Sequence, residues 1–147
     1  MLHAASHVIL AAVATTGVGA DHRHFGPLLG QAKTRWSLQM ALADAGYDSQ
    51  ANHVHARREL NVRSLIPATI GRPGAAGPTG HYRRLMRRLF RERKYKKLYG
   101  QRWQAETVNS MIKRNLGSAC RARTPGGRKK DMLLRALTHN LMIIANL

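Results

Sequence analysis

YGQRWQAETVNSMIK, residues 99–113, sets one carboxylate, Glu106, among Tyr99, Arg102, Asn109 and Lys113. The spacing suits a helix. At about 100° per residue, Tyr99, Arg102, Glu106 and Lys113 fall within about 60° of one another, and Asn109 joins their face. Ala105, Val108 and Ile112 form an adjacent apolar stripe that can pack on a core and leave Glu106 at the edge of a cleft. A plainer reading stands beside this one. Arg102 and Glu106 are also an ordinary i,i+4 pair, worth about 0.3–0.5 kcal/mol on a solvated helix.

Outward from this stretch, the chain has 147 residues, a length that predicts one domain. Its 25 Lys and Arg oppose seven Asp and Glu, a formal charge of +18. A surface that repels itself this strongly calls for an anionic polymer as partner. With so few carboxylates, those placed in motifs stand out. Cys120 is the single cysteine, so no disulfide forms within one chain, which fits a reducing cytoplasm. Residues 2–20 carry no Lys, Arg, Asp or Glu. They lack a basic leader and are interrupted by histidines and a Thr-Thr-Gly break, so neither a signal peptide nor a membrane span is predicted.

Residues 7–16, HVILAAVATT, read as a buried strand ended by Gly17 and Gly19. Asp21 is the expected N-cap of a helix over 22–33, with Phe25, Leu28, Leu29 and Ala32 at apolar spacing. Residues 37–44 return to a strand, which puts Asp44 at its carboxyl end, where open α/β sheets place their sites. Gly46 permits a sharp turn, Asp48 or Ser49 can cap a helix over 50–60, and Asn61 closes it. Residues 63–69 read as a short strand, with Pro67 favouring an edge. This strand and helix part spans 7–69, a Gly- and Pro-rich linker 70–80, and a basic helical part 81–147. In the last part, a helix over 82–97 precedes the 99–113 helix. A basic loop covers 117–127, and residues 131–147 place Leu133, Leu134, Leu137, Leu141 and Ile144 as a core-packing helix.

Between residues 81 and 130 lie 17 of the 25 cations, opposed by Glu92 and Glu106. A charge run is often just a solvated face, but this one would repel without a counterion. Phosphate contact is therefore expected from Arg83, Arg84, Arg87, Arg88, Arg91, Lys94, Lys96 and Lys97. The same is expected of Arg114, Arg121, Arg123, Arg128, Lys129 and Lys130.

The spacing Tyr-x2-Arg-x3-Glu-x6-Lys at Tyr99, Arg102, Glu106 and Lys113 resembles the third catalytic motif of DDE-type insertion-sequence transposases. Their second motif, Asp-x-Gly-Tyr at a strand end, is matched by Asp44, Gly46 and Tyr47. The resemblance extends through SLIPATIGRP, TGHYRRLM and LLRALTHNLMI. It implies a ribonuclease-H-like α/β domain with a helical C-terminal part. It also implies metal-dependent phosphoryl transfer on DNA, at element ends and target, with no small-molecule substrate. Asp44 and Glu106 would be the metal ligands, approaching closely enough to share Mg2+ or Mn2+ in a two-ion site with ions about 4 Å apart. Tyr47, Tyr99, Arg102, Asn109 and Lys113 would support them.

The resembled family has a further Asp on its first strand, and here His3 stands at about that position. No carboxylate precedes Asp21. The chain is therefore expected to be an N-terminally truncated domain lacking most of its first strand, inactive alone in strand cleavage, and able to self-associate through an exposed sheet edge. A rival from another class is a non-catalytic basic nucleic-acid-binding protein, or a structural protein of a ribonucleoprotein, which would need neither carboxylate. Zinc on His22, His24, His53 and His55 is disfavoured by His-x-His spacing and the single cysteine. Cys120 as a nucleophile lacks a sequence-indicated base.

Overall fold

Two short strands, Met40–Leu42 (β1) and Arg63–Leu65 (β2), pair in parallel with Ala41 opposite Ser64. A parallel pair needs a crossover, and a helical one connects them. The structure is a computed structural model describing residues 1–15, 21–69 and 76–146. Mixed helix and strand content makes it α/β, and its described residues fall into two units, Ala20–Arg102 and Met1–Gly19 with Trp103–Leu147.

In the unit Ala20–Arg102, a 3₁₀ turn Asp21–His24 leads into helix α1, Phe25–Lys33. Phe25, Leu29 and Ala32 are buried, at the i, i+4, i+7 spacing of one helix face. Helical geometry of the α type thus starts at Phe25 rather than His22, and Pro27 falls in the first turn, where its missing N–H removes no intrahelical bond. The cap position of α1 is His24, with no side-chain bond; the Asp21 side chain lies outside the described residues.

The strands are shorter than the sequence predicts because their ends bond elsewhere. Asp44 turns to accept from Gly46 N at 3.0 Å, and Thr69 N donates to Asp48 Oδ2 at 2.8 Å. Ser49, not Asp48, caps helix α2, Gln50–Val54, accepting from Asn52 N at 3.0 Å. The predicted helix over 50–60 then widens into a π-type turn, His55–Glu59, whose Leu60 N reaches His55 O. Asn61 ends it at φ 52°, the left-handed conformation Asn tolerates well.

The predicted helix over 82–97 is two helices, α3 at His81–Leu89 and α4 at Arg93–Gly100. Gly80, at φ 90°, precedes α3, and Met86 anchors it. Leu29, Leu65, Ile66 and Met86 are fully buried, each worth about 1.5–3 kcal/mol relative to exposure.

The second unit holds helix α5, Gln104–Leu116, and helix α6, Pro125–Ala145, which is capped by Thr124 Oγ1 accepting from Gly127 N at 3.1 Å. The predicted strand over 7–16 is not a strand within residues 7–15. Ile9 makes an isolated antiparallel bridge with Leu2, and His7 sits at φ 61°. Asn140 takes both backbone groups of Ile9, at 2.8 Å each, where a neighbouring strand would have bonded. Thr16, Gly17 and Gly19 lie outside the described residues.

The C-terminal helix also departs from expectation. Leu133, Leu134, Leu137, Leu141 and Ile144 are exposed, while His139 is buried and bonds His7 O at 3.0 Å. Polar anchors to the N-terminal segment take the inward positions of α6, and these set its rotation. Arg135 fixes the start of the 117–127 loop by donating to Gly117 O and Ala119 O while pairing with Asp131 at 3.1 Å. Among the described residues, no helix is long and apolar enough to cross a membrane.

Asp48 and His53 yield a stability test. Burial alone would raise the Asp48 carboxyl, but the Arg83 bond, the Thr69 N–H and nearby cations outweigh it and hold it below its usual value. Burial lowers His53, against the pull of Asp48. Both depressed values favour the folded state at higher pH. The His53 contribution is complete above about pH 6.5 and declines as pH falls towards its folded value; that of Asp48 is lost below about pH 4. The urea midpoint is expected to fall between about pH 7 and 5, with a shallower fall in His53→Gln. Asp48→Asn should cost about 2–4 kcal/mol at neutral pH, since Arg83 is partly exposed.

Candidate functional site

Asp44 lies two residues beyond β1, exposed and in extended backbone, where it caps the 3₁₀ turn Ala45–Tyr47. A Cβ on Gly46 would meet Asp44 Oδ1 at 3.1 Å, so glycine gives the carboxylate room to bond the turn. Tyr47 packs its ring 6.1 Å from that of Phe25, and its carbonyl accepts from Asn52 Nδ2 at 2.9 Å. Tyr99, near the end of α4, meets Phe90 edge-on with ring centroids 5.0 Å apart.

Burial raises the Tyr99 phenol above its usual value. Arg102 opposes this through its charge and a hydrogen bond to the hydroxyl, and the Asp44 carboxylate reinforces it. Asp44, Tyr99 and Arg102 therefore share one electrostatic neighbourhood, although Asp44 is remote from the other two in sequence. The phenol is protonated at neutral pH and can donate or accept.

Residues 99–113 do not form one α-helix. After α4 ends at Gly100, a 3₁₀ turn, Gln101–Trp103, precedes α5, and a 3₁₀ turn rotates about 120° per residue rather than 100°. Within α5, Glu106, Asn109 and Lys113 are exposed. Val108 is buried and Ile112 half-buried, but Ala105 is exposed and drops out of the predicted apolar stripe. Glu106 sits in the first turn of α5, where the helix dipole favours a negative charge.

Among the described residues, no three His, Cys, Asp or Glu side chains gather into a metal-binding group. The donors of either unit alone do not fit a two-ion centre; a single carboxylate such as Asp44 fits one magnesium that keeps most of its water. His3 is engaged locally, its Nδ1 lying 2.8 Å from Ser6 Oγ.

The cations divide by task. Arg83 turns inward to Asp48 Oδ2, at 2.8 Å from Nη2 and 2.9 Å from Nε. Arg84, Arg87, Arg88 and Arg91 line a groove of about 670 Å³ with residues 77–80. Lys94 pairs with Glu92 at 3.1 Å and lies over the Tyr95 ring. Lys96 and Lys97 are exposed in the same unit, as are Arg114, Arg121, Arg123, Lys129 and Lys130 in the other. Arg128 donates to Ala122 O at 3.2 Å. The groove wall at 77–80 falls within the predicted linker, whose residues 70–75 lie outside the described ones. A Gly-Pro-Thr-Gly run just ahead of arginines spaced i, i+3, i+4, i+7 was the available signal.

The protein-family model described as Transposase DDE domain matches residues 1–141. No curated protein and no solved structure matches the chain.

Phenolate absorbance during an alkaline titration tests the grouping of Asp44, Tyr99 and Arg102. Asp44→Asn should lower the Tyr99 pKa by removing a negative neighbour, and Arg102→Gln should raise it by removing a cation and its bond. Unchanged titration in both variants would place Tyr99 outside the reach of either group.

Proposed function

We propose, because the chain belongs to the transposase DDE domain family, that it supplies catalytic-domain residues for DNA transposition and binds DNA through its cationic surface. What supports this is the influence of both Asp44 and Arg102 on the Tyr99 phenol, which relates residues of two separated motifs electrostatically. A solvated i,i+4 pair has no such requirement. In this reading the β1–β2 pair and its crossover belong to a ribonuclease-H-like sheet with an edge open to self-association. Asp44 and Glu106 are its metal-holding carboxylates for Mg2+ or Mn2+.

Each supporting residue has a physical task. Arg102 holds the Tyr99 hydroxyl and brings a positive charge near Asp44, which suits a phosphate oxygen arriving there. Tyr47, packed on Phe25, fixes the turn that presents Asp44. Asn109 and Lys113 extend from the same helix as Glu106, so they can contact phosphate beside it. Exposed cations in both units supply attraction that does not depend on base sequence.

Chemistry asks for more than attraction. Two carboxylates with His3 in place of an acid leave one negative charge fewer than the three-acid arrangement, and imidazole is a softer donor than magnesium favours. The 147-residue chain alone is therefore expected to bind duplex DNA without cutting it. Binding should weaken steeply between about 50 and 200 mM salt, with a log–log slope near −0.9 per phosphate contacted. Affinity indifferent to salt would overturn the DNA reading. Magnesium- or manganese-dependent cleavage that vanishes in Glu106→Ala would instead overturn the expected inactivity.

A further inference from the structure

The groove on α3 is built, and its construction points to a particular use. Arg84, Arg87, Arg88 and Arg91 stand three and four residues apart, so their side chains share one side of the helix and the turn after it. At 1.5 Å per residue they span about 10 Å. One strand of duplex DNA presents a phosphate about every 3.4 Å of axis, so this length covers roughly three such steps, the axial extent of about four consecutive phosphates.

Protein groups do not neutralise these four. Among the described residues they make no ion pair, and the nearby carboxylates are taken, Asp48 by Arg83 and Glu92 by Lys94. Arg87 and Arg88, in the last turn of α3, are favoured by the helix dipole, but Arg84 sits near its first turn, where a cation is disfavoured. Helix electrostatics therefore does not account for the whole stripe.

The opposite wall is uncharged and close. A Cβ on Gly77 would stand 2.5 Å from Arg87 Nη1, so the absence of a side chain there lets the guanidinium lie against the loop. Gly80 holds φ 90°, and a Cβ on it would meet Gln50 Oε1 at 2.5 Å, the same oxygen that accepts from Tyr82 N at 3.1 Å. Two glycines and one glutamine thus seat the loop beside the arginines.

We infer that this groove is a backbone clamp for one strand of duplex DNA, its four arginines engaging consecutive phosphates while the 77–80 loop closes the far side. This rests on the DNA-binding reading above, and it assigns that binding a track rather than a diffuse surface.

The test uses the full chain and a short duplex of arbitrary sequence, with affinity followed by fluorescence anisotropy across salt. Arg87→Gln/Arg88→Gln removes two charges from the groove; Arg23→Gln/Arg35→Gln removes two exposed charges elsewhere in the same unit. The groove variant is expected to lose at least about tenfold in affinity and to reduce the salt slope by about 1.8, two phosphates at roughly 0.9 each. The control should lose under about threefold with its slope unchanged. Gly77→Ala, which changes no charge and displaces only the end of Arg87, should weaken binding measurably. Circular dichroism and melting that match wild type would show that each variant folds. Equal losses in the two double variants would overturn the clamp and leave DNA binding standing. A wild-type chain that binds no DNA at low salt would overturn the DNA reading itself, and the clamp with it.

Discussion

The fully buried Asp48 carboxylate is the constraint on which the unit Ala20–Arg102 depends. An ion taken out of water costs several kcal/mol unless it is paired and hydrogen-bonded, so its partners are obliged to converge. They come from three segments: Arg83 on α3, the Thr69 backbone after β2, and His53 on α2, whose Nε2 stands 3.6 Å from Oδ1. The network continues from His53 to Ser64 on β2 at 2.7 Å, and Arg57 donates to both the hydroxyl and the carbonyl of Ser64. A two-stranded sheet is marginal by itself. Here charge pairing, added to the buried Leu65, Ile66 and Met86, holds helices onto it.

That constraint also orients function. Arg83 is held by Asp48, whereas Arg84, Arg87, Arg88 and Arg91 are exposed and line the groove. One basic run thus serves two purposes, and position along the helix decides which. The carboxylates divide in a comparable way. Asp48, Glu59, Glu92 and Asp131 each sit within ion-pairing distance of a basic side chain, whereas Asp44 accepts from its own turn, leaving it suited to an incoming cation.

Local signals were legible where a local bond decided the outcome. Ser49 as a cap, Asn61 as a helix end and Asp44 just past a strand follow from side-chain chemistry within a few residues. Apolar spacing in α1 likewise predicted its buried face. Long-range partners decided the failures. Residues 7–15 have the composition of a strand, yet Asn140, remote in sequence, supplies the bonds a strand neighbour would give. The leucines of α6 have core spacing, but His139 and Asn140 set the helix rotation through bonds to the N-terminal segment. Continuous periodicity over residues 99–113 concealed the 3₁₀ turn, since three tighter residues alter the phase without changing composition.

DNA affinity and strand chemistry place different demands on the same side chains. Attraction between cations and phosphates persists over a Debye length of about 8–10 Å and tolerates loose geometry, so exposed arginines and lysines in either unit can contribute independently. Phosphoryl transfer needs metal-holding oxygens placed to a fraction of an ångström, and a missing carboxylate is not replaced by more cations. The composition of this chain, 25 Lys and Arg against seven Asp and Glu, suits the tolerant demand better than the exacting one. Among its motif residues, Asp44 and Arg102 both act on the Tyr99 phenol, and the His3 ring lies beside Ser6. A surface short of one acid of a three-acid site would therefore keep its attraction for phosphate while losing the placement that strand chemistry needs.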